Sequence, residues 1–294
     1  GREVFVNFGG VETAYYVWIN GHPVGYAEDS KLASMFNITS YLTDGENSLS
    51  VQVMRFADSS YLEDQDYWYL DGIYRSVELI AKPARRIEDM KITADFDPVY
   101  GVGTVDADVR VTRFNGYANY SVKVEIFDCD GKQIASALAN PNPSADFRQD
   151  ILPNAGTARV HIDMGKVCPW SPEVPVLYTA VATFIDEYGV EVDFEACRIG
   201  FKRVEIKNGI VLLNGVRLIV KGVNRHEHEA YHGRSVPRDF VIREILRMKQ
   251  LGINSVRTCH YPDSPVWLDL CDEMGILLIC ECDVETHGVR GEIT

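Results

Sequence analysis

The last third of the chain alternates apolar segments with helical ones, and this pattern restricts its fold most. Three segments have the apolar character of buried strands: LIVKGVN, INSVRT and ILLICECD. Two segments between them place apolar residues near helical spacing and end at a glycine: DFVIREILRMKQLG and PVWLDLCDEMG. Strand–helix–strand repeats with short links are typical of parallel strands. We therefore predict that residues 202–294 open with the hairpin VEIKNGIVLLNGVRL and continue as a parallel β/α sheet.

Polar side chains follow each of the three predicted strands. These groups are Asn224-Arg225-His226, the run from Arg257 to Tyr261, and the run from Asp283 to His287. In parallel β/α folds, functional groups lie at the carboxyl ends of the strands. The contrast between apolar strands and polar ends predicts a functional site there.

The first 201 residues have the pattern of β-sandwiches. In AYYVWINGHPVGYA, Tyr15, Val17 and Ile19 alternate with Tyr16 and Trp18, and the Asn-Gly pair that follows predicts a type I′ hairpin. Residues 84–201 again alternate between strands and turns, and their number fits an immunoglobulin-like sandwich. We predict a multidomain chain, mainly β and then α/β, with domains at 1–83, 84–201 and 202–294.

The formal charge of −14 makes nucleic acid an unfavourable partner, and a neutral or cationic small ligand suits it better. No apolar run approaches the length of a transmembrane helix, so no membrane partner is expected. The seven cysteines have no framework spacing, which favours reduced thiols and a cytoplasmic location. We interpret the CEC run at 280–282 as core packing.

Several motifs, in order along the chain, resemble glycoside hydrolase family 2 and, within it, the long bacterial β-galactosidases. They are GYAEDS, SSYLEDQDYW, DGIYR, KGVNRHEH, NSVRTCHYPDSPVWLDLCDEMGI and VETHG. The resemblance implies a jelly-roll sugar-binding domain incomplete at its start, an immunoglobulin-like domain, and the first strands of a truncated (β/α)8 TIM barrel.

The resemblance also implies a reaction, namely hydrolysis of terminal β-D-galactosides with retention. Retaining enzymes need two carboxyl groups, about 5–5.5 Å apart. The family's acid/base and nucleophilic glutamates would both lie beyond Thr294, so we expect an internal fragment that is inactive alone. The alternatives are a β-glucuronidase or β-mannosidase of the same family, or a noncatalytic carbohydrate-binding module.

Two substrate-binding residues are implied by the resemblance. Asp29, in GYAEDSKL, matches the family aspartate that binds a galactosyl hydroxyl and a sodium ion, and the bland alternative is an Asx-turn. His287 matches the family histidine that contacts the galactosyl group. The alternative is that His287 is a loop residue with no functional role. The family implies sodium and magnesium for the full-length enzyme, with neither ligand set complete here.

Other polar residues are candidates for catalysis or metal binding. Glu281 lies within the third predicted strand and Glu285 at its end, so the two carboxylates cannot face a sugar from both sides. Glu281 is expected to pair with Arg257. His226, His228 and His232 suggest zinc but lack helical ligand spacing. We instead expect Arg225 and His226 to form a hydrogen-bonded rim under the active site, while Tyr261 fits either a rim contact or packing.

Two further expectations concern surfaces. The run Glu63-Asp64-Gln65-Asp66 lacks the glycine and terminal glutamate of a calcium loop, so we interpret it as a docking surface, with Trp68 packing on a neighbouring domain. The parent enzyme is expected to be a homo-oligomer. The apolar faces and open edge of the 202–294 sheet predict loose packing or self-association of this chain.

Overall fold

The computed structural model describes residues 1–113, 119–143 and 155–287. They form two compact units. The split unit combines Arg2–Lys82 with Val220–Thr294, and the central unit comprises Pro83–Ile219. The domain boundaries expected from the sequence stay predictions.

The first segment of the split unit is a β-sandwich with two three-stranded sheets, ordered β5-β1-β8 and β4-β3-β6, and a two-stranded pair β2-β7. Two 3-10 helices interrupt it, at Thr39–Tyr41 and Asp58–Tyr61. The strands are β1 (Arg2–Phe8), β2 (Val11–Glu12), β3 (Ala14–Ile19), β4 (His22–Ala27), β5 (Ser34–Asn37), β6 (Leu49–Met54), β7 (Gly72–Ile73) and β8 (Val77–Pro83).

The hairpin predicted at Asn20-Gly21 is confirmed. Both residues have positive φ, 51° and 78°, and they join the antiparallel pair β3–β4. This is the geometry of a type I′ turn, which matches the twist of the strands it connects. Alternation along β3 buries Tyr15, Val17 and Ile19 in the sandwich core, as the sequence predicts.

The second segment of the split unit is a parallel β/α sheet, also as predicted. Its order is β20-β21-β22, and both pairings are parallel. Its elements are β20 (Gly222–Arg225), α1 (Arg238–Gln250), β21 (Ser255–Thr258), α2 (Pro265–Met274) and β22 (Leu277–Cys280). Gly275 ends α2 in the left-handed region, with φ of 77°. The first strand is shorter than LIVKGVN, because pairing with the four-residue β21 begins only at Gly222.

Helical spacing in DFVIREILRMKQLG predicts that Ile245, Leu246 and Leu251 share the apolar face of α1, but the structure differs. Leu246 and Leu251 are 48% and 62% exposed, whereas Val241 and Ile245 are buried against α2 and the sheet. Val241, Ile245 and Met248 follow the i, i+4, i+7 spacing of one helical stripe. Leu246 lies about 100° further round the helix than Ile245, which turns it away from the core.

The central unit is a sandwich of two four-stranded sheets, ordered β13-β14-β10-β9 and β12-β11-β15-β16, as the sequence predicts. Residues from both sheets form one core, including Val105, Val124, Val160 and Phe184. Its strands are β9 (Ile87–Asp97), β10 (Val102–Val111), β11 (Ser121–Phe127), β12 (Gln133–Ala139), β13 (Asn142–Pro143), β14 (Gly156–Lys166), β15 (Tyr178–Ile185) and β16 (Glu191–Ile199).

The predicted hairpin after residue 202 is a three-stranded antiparallel ladder in the central unit. It consists of β17 (Val204–Lys207), β18 (Ile210–Leu213) and β19 (Val216–Arg217). Asn-Gly turns join its strands at 208–209 and 214–215, with positive φ at all four residues.

All seven cysteines lie in the described part of the chain, and all are free thiols. The prediction of core packing for CEC is wrong, because Cys280 and Cys282 are both exposed. Exposure begins within β22, the edge strand of the sheet, where Ile279 is already 54% exposed. Neither described helix combines the length and apolar character needed to cross a membrane.

Candidate functional site

Three carboxylates from distant parts of the split unit meet at the carboxyl end of the parallel sheet. Oxygens of Asp29, Glu63 and Asp283 lie within 4.8 Å of one another. Asp29 follows β4 and Glu63 follows the second 3-10 helix, whereas Asp283 comes three residues after β22. The sandwich therefore contributes two acidic groups to the strand end that the sequence predicts to be functional. We call this group the carboxylate cluster.

Hydrogen bonds hold each carboxylate of the cluster in place. Asp29 Oδ1 accepts from the backbone N–H groups of Lys31 at 3.2 Å and Leu32 at 3.0 Å. Glu63 accepts from Ser30, with its Oε1 at 3.1 Å from the Ser30 amide. Asp29 has φ of 82°, an uncommon region for a residue other than glycine. Asp29 thus makes an Asx-turn, as the purely structural interpretation predicts, and it also belongs to the carboxylate cluster.

The surroundings of the cluster oppose ionisation of two of its members. Burial raises the pKa of Glu63 to about 7, and the nearby Asp283 acts in the same direction. Burial also raises the pKa of Asp283, while the Lys31 ammonium works against that shift. A cation brought to the cluster would favour the ionised carboxylates.

The run Glu63-Asp64-Gln65-Asp66 contacts the end of the third strand. Gln65 Nε2 donates to Asp283 Oδ1 at 2.5 Å. The backbone N–H groups of Glu285 and Thr286 both donate to the carbonyl of Leu62, at 2.9 and 3.0 Å. This segment therefore serves as a docking surface, as the sequence predicts.

His287 pairs with a neighbour in its own loop. Its Nδ1 lies 3.4 Å from Glu285 Oε1, and its side chain is 38% exposed. The structure brings Asp283, four residues earlier, to Asp29. Gly288, the last residue of the motif VETHG, and Gly291 both lie outside the described residues. The binding roles of Asp29 and His287 stay predictions.

A buried ionic network joins the sandwich to the parallel sheet beneath the cluster. Lys31 is only 2% exposed, and its Nζ lies 3.2 Å from Glu12 Oε2. Arg75 donates from Nη2 to Glu227 Oε2 at 2.7 Å. Arg234 also pairs with Glu12. Two of these pairs, Arg75–Glu227 and Arg234–Glu12, join the sandwich to the later segment. Breaking either pair would leave a buried charge without its partner, which is costly.

Arg225 is buried at the end of β20 and makes hydrogen bonds there, as the sequence predicts. Its Nη1 lies 2.7 Å from Asp263 Oδ2, and its Nη2 lies 3.0 Å from Glu244 Oε2. The guanidinium stacks 4.0 Å above the ring of the fully buried Trp267. Tyr261 is 1% exposed, so of its two open interpretations packing applies.

Aromatic rings line a recess near the ionic network. Tyr67 stacks on His226 with ring centroids 4.7 Å apart and planes 12° apart. Trp68 contacts His228, with centroids 4.6 Å apart, and stays 60% exposed. Together with Asp66, these four residues line a cavity of about 590 Å³. Trp68 thus packs on the later segment of the chain, as expected, and stays largely exposed.

The three histidines considered for zinc do not come together. His232 Nδ1 contacts Glu229 Oε2 at 2.6 Å, and His228 packs against Trp68. His226 lies instead beside Cys259 and His260. The predicted pairing of Glu281 with Arg257 is confirmed, since Arg257 Nε lies 2.5 Å from Glu281 Oε1.

Sequence reasoning missed the cations of the network. Lys31 and Arg75 lie inside GYAEDSKL and DGIYR, but their burial is not predicted from these motifs. Glu227 lies between the two histidines of NRHEH, and its pairing with Arg75 is not predicted from that motif. One sequence signal could have predicted the network: several motifs each contain a charged residue, and the fold brings these motifs together.

Three family models match consecutive parts of the chain and together span nearly all of it. "Glycosyl hydrolases family 2, sugar binding domain" matches residues 1–83. "Glycosyl hydrolases family 2" matches residues 85–202, and "Glycosyl hydrolases family 2, TIM barrel domain" matches residues 204–294.

Curated relatives are similar over nearly the whole chain. A protein of Priestia megaterium named β-galactosidase is 40% identical over 290 residues, which is 98% of this chain and 27% of the relative. A β-galactosidase of Vibrio vulnificus is 41% identical over 284 residues, or 96% of this chain and 27% of the relative. The chain therefore spans about a quarter of the length of these relatives.

Solved structures share the fold at lower identity. A β-glucuronidase of Bifidobacterium dentium has a TM-score of 0.86 and 26% identity, covering 96% of this chain and 50% of that one. A β-glycosidase of Bacteroides vulgatus has a TM-score of 0.79 and 26% identity, covering 96% of this chain and 34% of that one.

Proposed function

This chain belongs to glycoside hydrolase family 2, and we propose that the natural protein hydrolyses terminal β-D-galactosides with retention of configuration. In this proposal the chain supplies part of the wall that holds the galactosyl group. The carboxylate cluster is the observation that carries it, because Asp29 crosses from the sandwich to the carboxyl end of the parallel sheet. That end of a β/α barrel is where substrates bind.

The geometry of Asp29 suits recognition of a sugar hydroxyl. Two backbone N–H groups fix its Oδ1, so the carboxylate is oriented before substrate arrives. An ionised carboxylate accepts at both oxygens and has lone pairs to spare for a hydroxyl donor. We assign His287 a second contact to the same sugar, with Glu285 orienting its ring.

Charge favours a neutral sugar over a uronic acid. A glucuronide carries a carboxylate, and a further acidic group beside the cluster would add to the repulsion by which Asp283 already raises the pKa of Glu63. A galactoside carries only hydroxyl groups, which donate to carboxylates. The names of the curated relatives agree with this preference, whereas the named structures at 26% identity include a β-glucuronidase. A β-glucuronidase is therefore the second candidate.

The cluster also fits a hard cation such as sodium. Its ligands are all carboxylate oxygens, and within the described residues Asp283 Oδ2 is buried without a hydrogen-bond donor. Such a cation would satisfy that oxygen and offset the repulsion among Asp29, Glu63 and Asp283. Sodium and magnesium both stay predictions, and we assign no residue to magnesium.

The test is hydrolysis by the full-length natural protein of the nitrophenyl β-galactoside and β-glucuronide. We expect a strong preference for the galactoside, and a preference for the glucuronide would refute the proposal. The Asp29→Asn variant should lose galactoside kcat/KM, while Asp44→Asn, at an exposed sandwich turn, should retain it. Equal activity of both variants would remove Asp29 from the site.

A further inference from the structure

Two adjacent residues, Tyr74 and Arg75, hold the two peptide groups that donate to Asp29. The peptide group on the amino side of Lys31 accepts from Tyr74 Oη at 2.6 Å, and its N–H donates to Asp29 Oδ1 at 3.2 Å. The peptide group on the carboxyl side of Lys31 accepts from Arg75 Nη1, and its N–H donates to the same Oδ1 at 3.0 Å. Both peptide groups are therefore held on their two sides.

These contacts fix the direction in which the two N–H groups point. A trans peptide group is planar, so its C=O and its N–H point in opposite directions. A donor that holds the carbonyl oxygen therefore aligns the N–H on the far side, and it also strengthens that N–H, because linked hydrogen bonds polarise one another. We propose that Tyr74 and Arg75 are positioning residues that orient the Asp29 carboxylate for the substrate. This inference rests on the proposed function, in which Asp29 accepts from a galactosyl hydroxyl.

The guanidinium of Arg75 also ties the Asp29 loop to the parallel sheet. Its Nη2 donates to Glu227 Oε2 at 2.7 Å and to the carbonyl of Pro262 at 3.0 Å. Glu227 lies two residues beyond β20, and Pro262 lies four residues beyond β21. The Arg75 side chain is only 8% exposed. One buried side chain thus sets the position of the Asp29 loop relative to the strand ends where the substrate would bind.

The conformation of Asp29 explains why its loop needs this support. Its φ of 82° lies in the left-handed region, which residues other than glycine seldom adopt. Such a conformation persists only where the surrounding contacts enforce it. The bonds from Tyr74 and Arg75 supply that enforcement from outside the loop.

The ring of Tyr74 is held independently of its hydroxyl group. The guanidinium groups of Arg75 and Arg234 lie 5.2 and 5.1 Å from the ring centroid. Ser235 Oγ donates to the backbone carbonyl of Tyr74 at 2.8 Å. Replacement by phenylalanine keeps these contacts and removes only the bond to the peptide group. Tyr74→Phe is therefore a specific variant for the test.

The test measures binding and turnover by the full-length natural protein. A thiogalactoside, whose sulfur link resists hydrolysis, reports binding by titration calorimetry, and the nitrophenyl β-galactoside reports kcat and KM. Tyr74→Phe should weaken thiogalactoside binding and lower kcat/KM by roughly 3- to 10-fold, the usual value of one neutral hydrogen bond. Arg75→Lys keeps the charge but lacks the planar fork that reaches several partners, so its loss should be larger.

Matched controls make the same replacements elsewhere in the sandwich. Tyr41→Phe deletes a hydroxyl in the first 3-10 helix. Arg55→Lys alters a guanidinium that is 68% exposed and pairs with Asp71. Both controls should bind the thiogalactoside as the parent protein does, and thermal unfolding checks that each variant is folded.

A double-mutant cycle separates positioning from a merely structural role. If Tyr74 acts through Asp29, Tyr74→Phe should cost less than about twofold in the Asp29→Asn background. Additive losses would overturn this inference alone, as would parent-like binding by Tyr74→Phe beside impaired binding by Asp29→Asn. Unimpaired Asp29→Asn would instead overturn the proposed role of Asp29, and this inference with it.

Discussion

Truncation of Ile245 should selectively destabilise the parallel β/α part of the split unit. Ile245 is fully buried on α1, whereas its neighbour Leu246 is 48% exposed. Sequence periodicity predicts that both residues lie on the apolar face, so Ile245→Ala and Leu246→Ala form a matched pair. They remove similar volumes from adjacent positions of one helix.

The expected costs differ because only one site leaves a cavity. Ile245→Ala removes three carbons, each worth about 0.8 kcal/mol of transfer free energy, or roughly 2.4 kcal/mol together. The unfilled space among Val241, Val256 and Trp267 adds a cavity term, which brings the total into the range of about 2–5 kcal/mol. Leu246→Ala forfeits at most about half of the transfer term, and alanine's helix propensity offsets part of that loss.

Hydrogen exchange read by mass spectrometry measures this difference locally in the full-length protein. A loss of about 3 kcal/mol corresponds to roughly 100-fold faster exchange, at about 1.4 kcal/mol per tenfold. We expect that acceleration in the peptides of α1 and β22 for Ile245→Ala, and less than about tenfold for Leu246→Ala. Equal acceleration in the two variants would show that the packing of α1 described above is wrong.

Three further predictions concern other sites. Asp29→Asn should weaken galactoside binding by about 1.5–3 kcal/mol, the value of a hydrogen bond to a charged group, and abolish its sodium dependence; kinetics unchanged across sodium concentrations would contradict this. Because Glu63 in the folded state keeps its proton up to about pH 7 but loses it near 4.5 when unfolded, its contribution to stability falls as pH rises between those values. The urea midpoint should therefore depend less on pH in Glu63→Gln but not in the control Asp64→Asn, and identical pH profiles would refute the reasoning. Gly103→Ala should destabilise the central unit by about 1–3 kcal/mol, because a Cβ there would lie 2.7 Å from the Phe201 ring; an unchanged melting temperature would count against it.

Local sequence signals were sufficient where the structure is local. The Asn20-Gly21 turn and the Gly275 helix end follow from residues that adopt positive φ. The pairing of Arg257 with Glu281 was also predictable, because adjacent parallel strands place them side by side. In each case the interacting residues are close in sequence or belong to neighbouring strands.

The burial of charged residues was not predictable from sequence. Lys31 resembles a surface lysine, and only the fold shows that Glu12 and the later segment enclose it. Likewise, Asp283 meets Asp29 across more than 250 positions of sequence. Cys280 is exposed because β22 is an edge strand of the described sheet, and hydropathy does not reveal the position of a strand in a sheet.

The split unit has a consequence for synthesis on the ribosome. Its segments, Arg2–Lys82 and Val220–Thr294, are separated by the 137 residues from 83 to 219. At about 5–20 residues per second, roughly 7–27 seconds pass before the second segment starts to emerge. Throughout that interval Arg75 lacks Glu227, and the surface around Gln65 lacks Asp283. The nascent sandwich therefore carries charged and polar groups whose partners have not yet been made, and the split unit cannot complete its packing until the second segment emerges.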